Sequence, residues 1–201
     1  MKLIRGSFLL LVCLWHTSGL LGQILIPESE RTSFFTEEQR LSRNGMIALT
    51  TWGSANVISG AVAAPLTSGS WRYFNLMNIA WGAANVGIGV PALIIGARDK
   101  SVPGSGNLLR KQQRRKELFL INGALDFAYL GAGAALWGFS NRTKQPLMMT
   151  GFGQSLLVQG GWLLAFDWTM YLLHAHHGRI LDRYLTGLSY TGTGFRYQLA
   201  F

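Results

Sequence analysis

Residues 44–64, 73–97, 117–139 and 146–173 are nearly unbroken apolar runs, each of about twenty residues or more, long enough to cross a bilayer as a helix. Lipid offers no partner for backbone N–H and C=O groups, so a chain of this kind can span only as helices or as a closed barrel. The runs lack the period-two alternation and regular turns of barrel strands, which leaves helices. Only residues 66–72 separate the first two runs, and Asn141-Arg142-Thr143-Lys144 the last two. Connections that short make antiparallel hairpins. The expected fold is an all-α membrane protein, four transmembrane helices in two hairpins, within one domain at 44–174.

The first hairpin repeats a phrase. Trp52-Gly53-Ser54-Ala55-Asn56-Val57-Ile58-Ser59-Gly60 in one run answers Trp81-Gly82-Ala83-Ala84-Asn85-Val86-Gly87-Ile88-Gly89 in the next. On a helix Gly53, Asn56 and Gly60 share one side, as do Gly82, Asn85 and Gly89. Small residues let backbones approach in lipid, and amides bond across the gap, so these positions read as a packing seam, the two copies facing each other. Trp52 and Trp81 are expected to pack there rather than hold a ligand. Pro65 should end the first run and Pro91 kink the second. The second hairpin carries a fainter copy: Asn122 precedes Leu125 as Asn78 precedes Trp81, and Gly153 with Gly160 repeats the spacing of Gly82 with Gly89.

Residues 1–22, with Lys2 and Arg5 before an apolar stretch at 8–15, have the layout of a secretory signal peptide, with cleavage expected between Gly22 and Gln23. Cys13 is the sole cysteine and lies inside that apolar stretch, which excludes both a lipoprotein start and an intrachain disulfide. Residues 23–43 are polar and read as an extramembrane linker or short surface helix, with Thr36-Glu37-Glu38 offering a helix start. The tail, 175–201, is amphipathic, and Phe195, Tyr197, Leu199 and Phe201 alternate with polar or small residues as a strand would.

Charged residues make up only 13% of the chain, yet the net charge is +9. The basic residues cluster in connections, above all Arg110-Lys111-Gln112-Gln113-Arg114-Arg115-Lys116. That placement points to anionic lipid headgroups along 110–116 and away from nucleic acid. Orientation is in conflict. If the signal is cleaved and all four runs span, the N-terminus, the basic loop and the tail lie outside, against the positive-inside expectation.

Asp126 falls near the middle of the third run, where an ionisable group costs at least ~2.5 kcal/mol unless paired or wetted. Asn56, Asn78, Asn85, Asn122, Tyr129, Gln154 and Gln159 are candidate partners, so a polar intramembrane site or simple hydrogen-bonding glue are both open. In the fourth run Asp167, Tyr171 and His174 recur on one helical face, with His177 extending the row. No metal site is expected, since helical spacing aligns only His174 and His177 and no further His or Cys completes a set. A bis-histidine haem fails because the other three spans hold no histidine, and no cofactor is expected. Nothing pairs a nucleophile with a base, which counts against an enzyme. The expected function is that of a structural or assembly component packing with itself or a membrane partner; the alternative is a small channel or carrier lined by Asp126 and the amides.

Tyr73-Phe74 with Met77-Asn78, then Leu125-Asp126 with Tyr129, then Gly153-Gln154-Ser155, Gln159-Gly160-Gly161 and Phe166-Asp167 with Met170-Tyr171-Leu172 and His174, together resemble an uncharacterised family of bacterial four-span membrane proteins with a signal sequence. The resemblance covers residues 44–174. It implies architecture and no activity.

Overall fold

The computed structural model describes residues 26–185, 188–190 and 195–197. Four long helices occupy nearly all of it: α1 (Glu28–Ala63), α2 (Gly69–Arg98), α3 (Ser105–Gly138) and α4 (Pro146–Leu185). Each is long and apolar enough to cross a membrane, which makes this a multi-pass membrane protein by length and composition.

The connections follow from local chemistry. α1 gives way to a 3-10 turn at Ala64–Leu66 carrying Pro65, and α2 opens on Gly69 at φ 62°, a left-handed conformation that only glycine adopts without strain. α3 ends in a second 3-10 turn, Ser140–Arg142, tied by Ser140 Oγ donating to the Trp137 carbonyl. α4 starts on Pro146, whose missing N–H costs nothing at a helix N-terminus. α2 stays helical through Pro91.

The helices are longer than the apolar runs. At 1.5 Å per residue α1 is about 54 Å long and α4 about 60 Å, against a hydrocarbon core of about 30 Å. The stretch 23–43 therefore differs from the expected linker: from Glu28 it is the first part of α1, with neither Pro nor Gly to interrupt it before Gly45. The basic stretch from Ser105 is likewise the start of α3, and α4 runs well beyond 173. These extensions form a head with a core of its own, Ile26, Phe34, Phe35, Leu108 and Leu181, flanked by Val102, Leu109 and Tyr184. Polar contacts stitch it together. Arg31 donates to the Pro103 carbonyl at 3.2 Å, Gln39 Nε2 to the Asp99 carbonyl, and Lys111 Nζ meets Asp99 at 2.9 Å. That hydrogen bond from the Lys111 ammonium holds the Asp99 carboxyl below its ordinary range.

Beyond α4, Leu188–Tyr190 pairs antiparallel with Phe195–Tyr197 in a two-stranded ribbon. The alternation at 195–201 is thus a strand over its described part, and 188–190 is a partner that the sequence pattern did not single out. The expected signal at 1–22, with Cys13, lies outside the described residues.

Candidate functional site

Glycine contacts set the frame. A Cβ on Gly53 would stand 2.7 Å from the Gly82 carbonyl oxygen, and one on Gly82 2.5 Å from that of Gly53. Gly60 abuts the Asn75 carbonyl at 2.7 Å, and Gly89 packs on Thr50 Oγ1 with the Met46 carbonyl at 3.2 Å. The repeated phrases therefore meet along α1 and α2 of the same chain. Gly133 and Gly153 make the matching contact in the second hairpin, a Cβ on Gly133 lying 2.9 Å from the Gly153 carbonyl. Gly151 joins the hairpins, set against the Ser70 carbonyl and 2.8 Å from the Phe74 N. Backbones this close hold the interior side chains in fixed register, and three polar layers result.

The layer between α1, α2 and α4 centres on Gln159, fully buried. Its amide donates to Asn56 Oδ1 at 2.7 Å and Asn78 Oδ1 at 3.1 Å, while its oxygen accepts from Trp52 Nε1 at 2.8 Å. Ser155 Oγ donates to Asn78 Oδ1 at 2.6 Å, and Asn56 Nδ2 to the Trp52 carbonyl at 2.8 Å. Each bond replaces one that lipid cannot supply. Gln159→Leu strands the Trp52 N–H and loosens both asparagines; unfolding in a denaturing detergent should show a loss of about 2 kcal/mol, against no loss for Val158→Leu on the exposed side.

The second layer lies between α3 and α4. Asp126 and Asp167 are 2% and 4% exposed. Asp126 of α3 and Asp167 of α4 are close enough for their carboxyl groups to interact directly, with Asn122 beside Asp167. Two carboxylates so placed repel, and a proton shared between them removes that repulsion. The other Asp126 oxygen, Oδ2, is buried without a partner.

The third layer sits where the bundle meets the head. Glu38, 1% exposed, faces the Arg115 guanidinium at 3.1 Å, and Arg115 also bonds Ser42 Oγ. Gln112 Nε2 donates to the His174 carbonyl at 2.6 Å. His174 is fully buried, stacked on Phe119 at 5.5 Å, with both ring nitrogens unpartnered. His177 stacks on Phe34 at 4.1 Å and its Nε2 meets the Phe34 carbonyl at 3.1 Å. Aromatic rings link the first layer to the third: Trp52 on Trp162 at 4.8 Å, Trp162 on Phe166 at 5.2 Å, Phe166 against Phe119, and Phe119 on His174.

Not every candidate joins a layer. Asn85 is buried with its Nδ2 unpartnered, and Trp81 packs edge-on to Tyr129 at 5.0 Å with its indole N–H unpartnered. Gln154 and Tyr171 are half-buried, and the Tyr171 ring lies edge-on to that of Trp168 at 5.8 Å. Among the described residues no three His, Cys, Asp or Glu side chains come together to hold a metal. Sequence reasoning passed over Glu38, Gln112, Arg115 and Ser155. A signal existed for two of them: Leu108, Gln112, Arg115 and Phe119 follow one another at steps of four, three and four, the spacing of one helical face, and Leu108 and Phe119 are core residues.

Residues 48–168 match a protein-family model described as a family of unknown function, DUF6992. The chain belongs to this family, and the match takes in the first two layers while ending short of His174. Neither a curated protein nor a solved structure matches the chain.

Proposed function

We propose that the chain is a small membrane carrier or channel whose moving species is the proton, with Asp126 and Asp167 as its binding site. The observation that carries this reading is the contact of two buried carboxyl groups on neighbouring helices. Helix glue in lipid is served by neutral amides, as around Gln159; carboxyl groups at that depth are expensive and mark proton and ion pathways. A proton between the two carboxyls holds α3 to α4, and its departure leaves two carboxylates that repel. Proton occupancy is thereby tied to the contact between these helices. His174 follows Asp167 by seven residues on α4, about 10 Å along the axis, and leads toward the head. The setting proposed is the bacterial cell membrane.

The test is a proton-flux assay on vesicles with a trapped pH-sensitive dye. Wild-type protein should dissipate an imposed pH gradient, and Asp126→Asn with Asp167→Asn, which keeps shape and hydrogen bonding, should slow this at least roughly tenfold. Wild-type flux equal to that of protein-free vesicles, or flux untouched by the double substitution, overturns the reading.

The competing reading, a packing or assembly component, rests on a different observation. Gly53, Gly60, Gly82 and Gly89 are spent within the chain, which leaves other small residues for a partner, among them the exposed Ala124, Ala128, Gly131, Ala135 and Gly138 of α3, where a Cβ at either glycine meets nothing within 4 Å. A silent flux assay together with loss of cross-linked oligomer in Gly131→Leu would select it.

A further inference from the structure

The basic run of α3 does not face one way. Lys111, Gln112 and Arg115 turn inward, to Asp99, His174 and Glu38, while Arg110 and Arg114 are exposed. The same end of the molecule carries Arg43 from α1, Arg98 from α2 and Arg179 from α4, all exposed. The bonds of Arg115 to Ser42, Gln39 to Asp99 and Gln112 to the His174 carbonyl bring these four helix segments side by side, with Arg179 about 8 Å beyond His174 toward the head. The cations are available. The ion pairs among the described residues are Arg40 with Glu37, Lys111 with Asp99 and Arg115 with Glu38, so none engages these five. Glu117 accepts from Gln113 at 2.8 Å and Glu30 from Tyr184, while Asp182, three residues beyond Arg179 on α4, is in none of the ion pairs among the described residues.

The opposite end has a different chemistry. Arg72, Arg142 and Lys144 are exposed there, beside Trp71, Trp137 and Phe139, large rings on the surface at 60%, 49% and 56% exposure. Tryptophan at that position is the mark of a membrane interface. From Arg72 to Arg98 along α2 is about 39 Å, the thickness of a bilayer core with its headgroup layers.

We infer that Arg43, Arg98, Arg110, Arg114 and Arg179 form a ring that rests on the anionic phospholipid of the cytoplasmic leaflet, and that the head projects beyond that leaflet. Charge complementarity selects the occupant: five unpaired guanidinium groups around the outside of a bundle, level with one headgroup layer, meet lipid phosphate from every side. The asymmetry between the two ends sets the side, because cationic segments next to spans are retained in the cytoplasm. This orientation puts the start of α1 inside, whereas cleavage between Gly22 and Gln23 on a secretory route would leave it outside.

In intact cells expressing the full chain as Cys13→Ser, a membrane-impermeant maleimide should label Lys144→Cys and leave Lys100→Cys unlabelled until the membrane is opened. Labelling of Lys100→Cys in closed cells overturns the orientation. In nanodiscs, phosphatidylglycerol should raise the thermal midpoint of the wild type above its value in phosphatidylcholine, and Arg43→Gln with Arg98→Gln, Arg110→Gln and Arg114→Gln should cut retention of phosphatidylglycerol at least roughly tenfold. Equal midpoints in the two lipids, retention unchanged by the substitutions, or the same gain from inorganic phosphate in neutral discs overturns the leaflet contact. Neither arm involves Asp126 or Asp167, so it fails or holds independently of proton flux.

Discussion

Gly82→Leu is expected to abolish the folded bundle, whereas Gly87→Leu, five residues further along α2 and on another side of it, leaves it intact. A Cβ at Gly82 lies 2.5 Å from the Gly53 carbonyl oxygen and 2.9 Å from the Val57 N, and both of those are backbone, unable to swing aside. At Gly87 a Cβ meets nothing within 4 Å. Admitting the side chain means driving α1 from α2 along the seam. Overpacking costs ~1–3 kcal/mol even where side chains can adjust, and here the separated helices also lose their interhelical contacts, with no hydrophobic force to restore them in lipid. The loss should exceed about 3 kcal/mol, read as collapse of the folded fraction in detergent unfolding. Gly53→Leu should do the same. Comparable stability of the Gly82 and Gly87 variants would mean that the two backbones are not in contact.

The number of spans and the hairpin pairing were legible because both rest on composition and loop length. The seam was legible for a related reason: in lipid, close approach demands small residues, and Gly53 with Gly82 repeat in register. Less legible was where the helices begin. The polar residues at 23–43 read as a linker or short surface helix and those at 98–116 as a loop, whereas α1 starts at Glu28 and α3 at Ser105. In those stretches a helix needs only one apolar stripe, and Phe34, Phe35 and Leu108 supply it. The carboxyl contact was half visible. Asp126 stood out in an apolar run, but nothing in the sequence pairs it with Asp167 across two helices; that pairing is a product of the Gly133 and Gly153 contact.

The polar layers differ in how completely they are satisfied, and that difference bears on function. The Gln159 layer leaves little unbonded, as a fixed joint should. The other two hold buried polar atoms with no hydrogen-bond partner, as Asn85 and Trp81 of α2 also do: Asp126 Oδ2 in one, and in the other Gln112 Oε1, both nitrogens of His174 and the oxygens of Glu38, whose one contact is the ion pair with Arg115. Unsatisfied polar atoms on buried titratable residues are costly to keep for packing alone. They fall on α3 and α4 along the line from the carboxyl pair to the head, with Glu38 of α1 at its end.

Arg115→Leu is expected to release the head from the bundle. Glu38 is fully enclosed and neither carboxylate oxygen has a hydrogen-bond donor, so the guanidinium at 3.1 Å is what offsets its charge. Removing one member of a buried pair leaves an uncompensated charge, at a cost of roughly 3–5 kcal/mol, whereas an exposed pair such as Arg40 with Glu37 is screened by water and contributes little. The head has only a small core of its own, so the cost should appear there first. Hydrogen exchange over residues 28–43 should accelerate by roughly a hundredfold or more, with the seam at 53–60 little changed. The double variant Glu38→Leu with Arg115→Leu should recover most of the protection, because two apolar side chains in place of a buried ion pair are close to neutral. A single substitution no worse than Arg110→Leu, or a double variant as exposed as the single, would show that the pair does not hold α1 to α3.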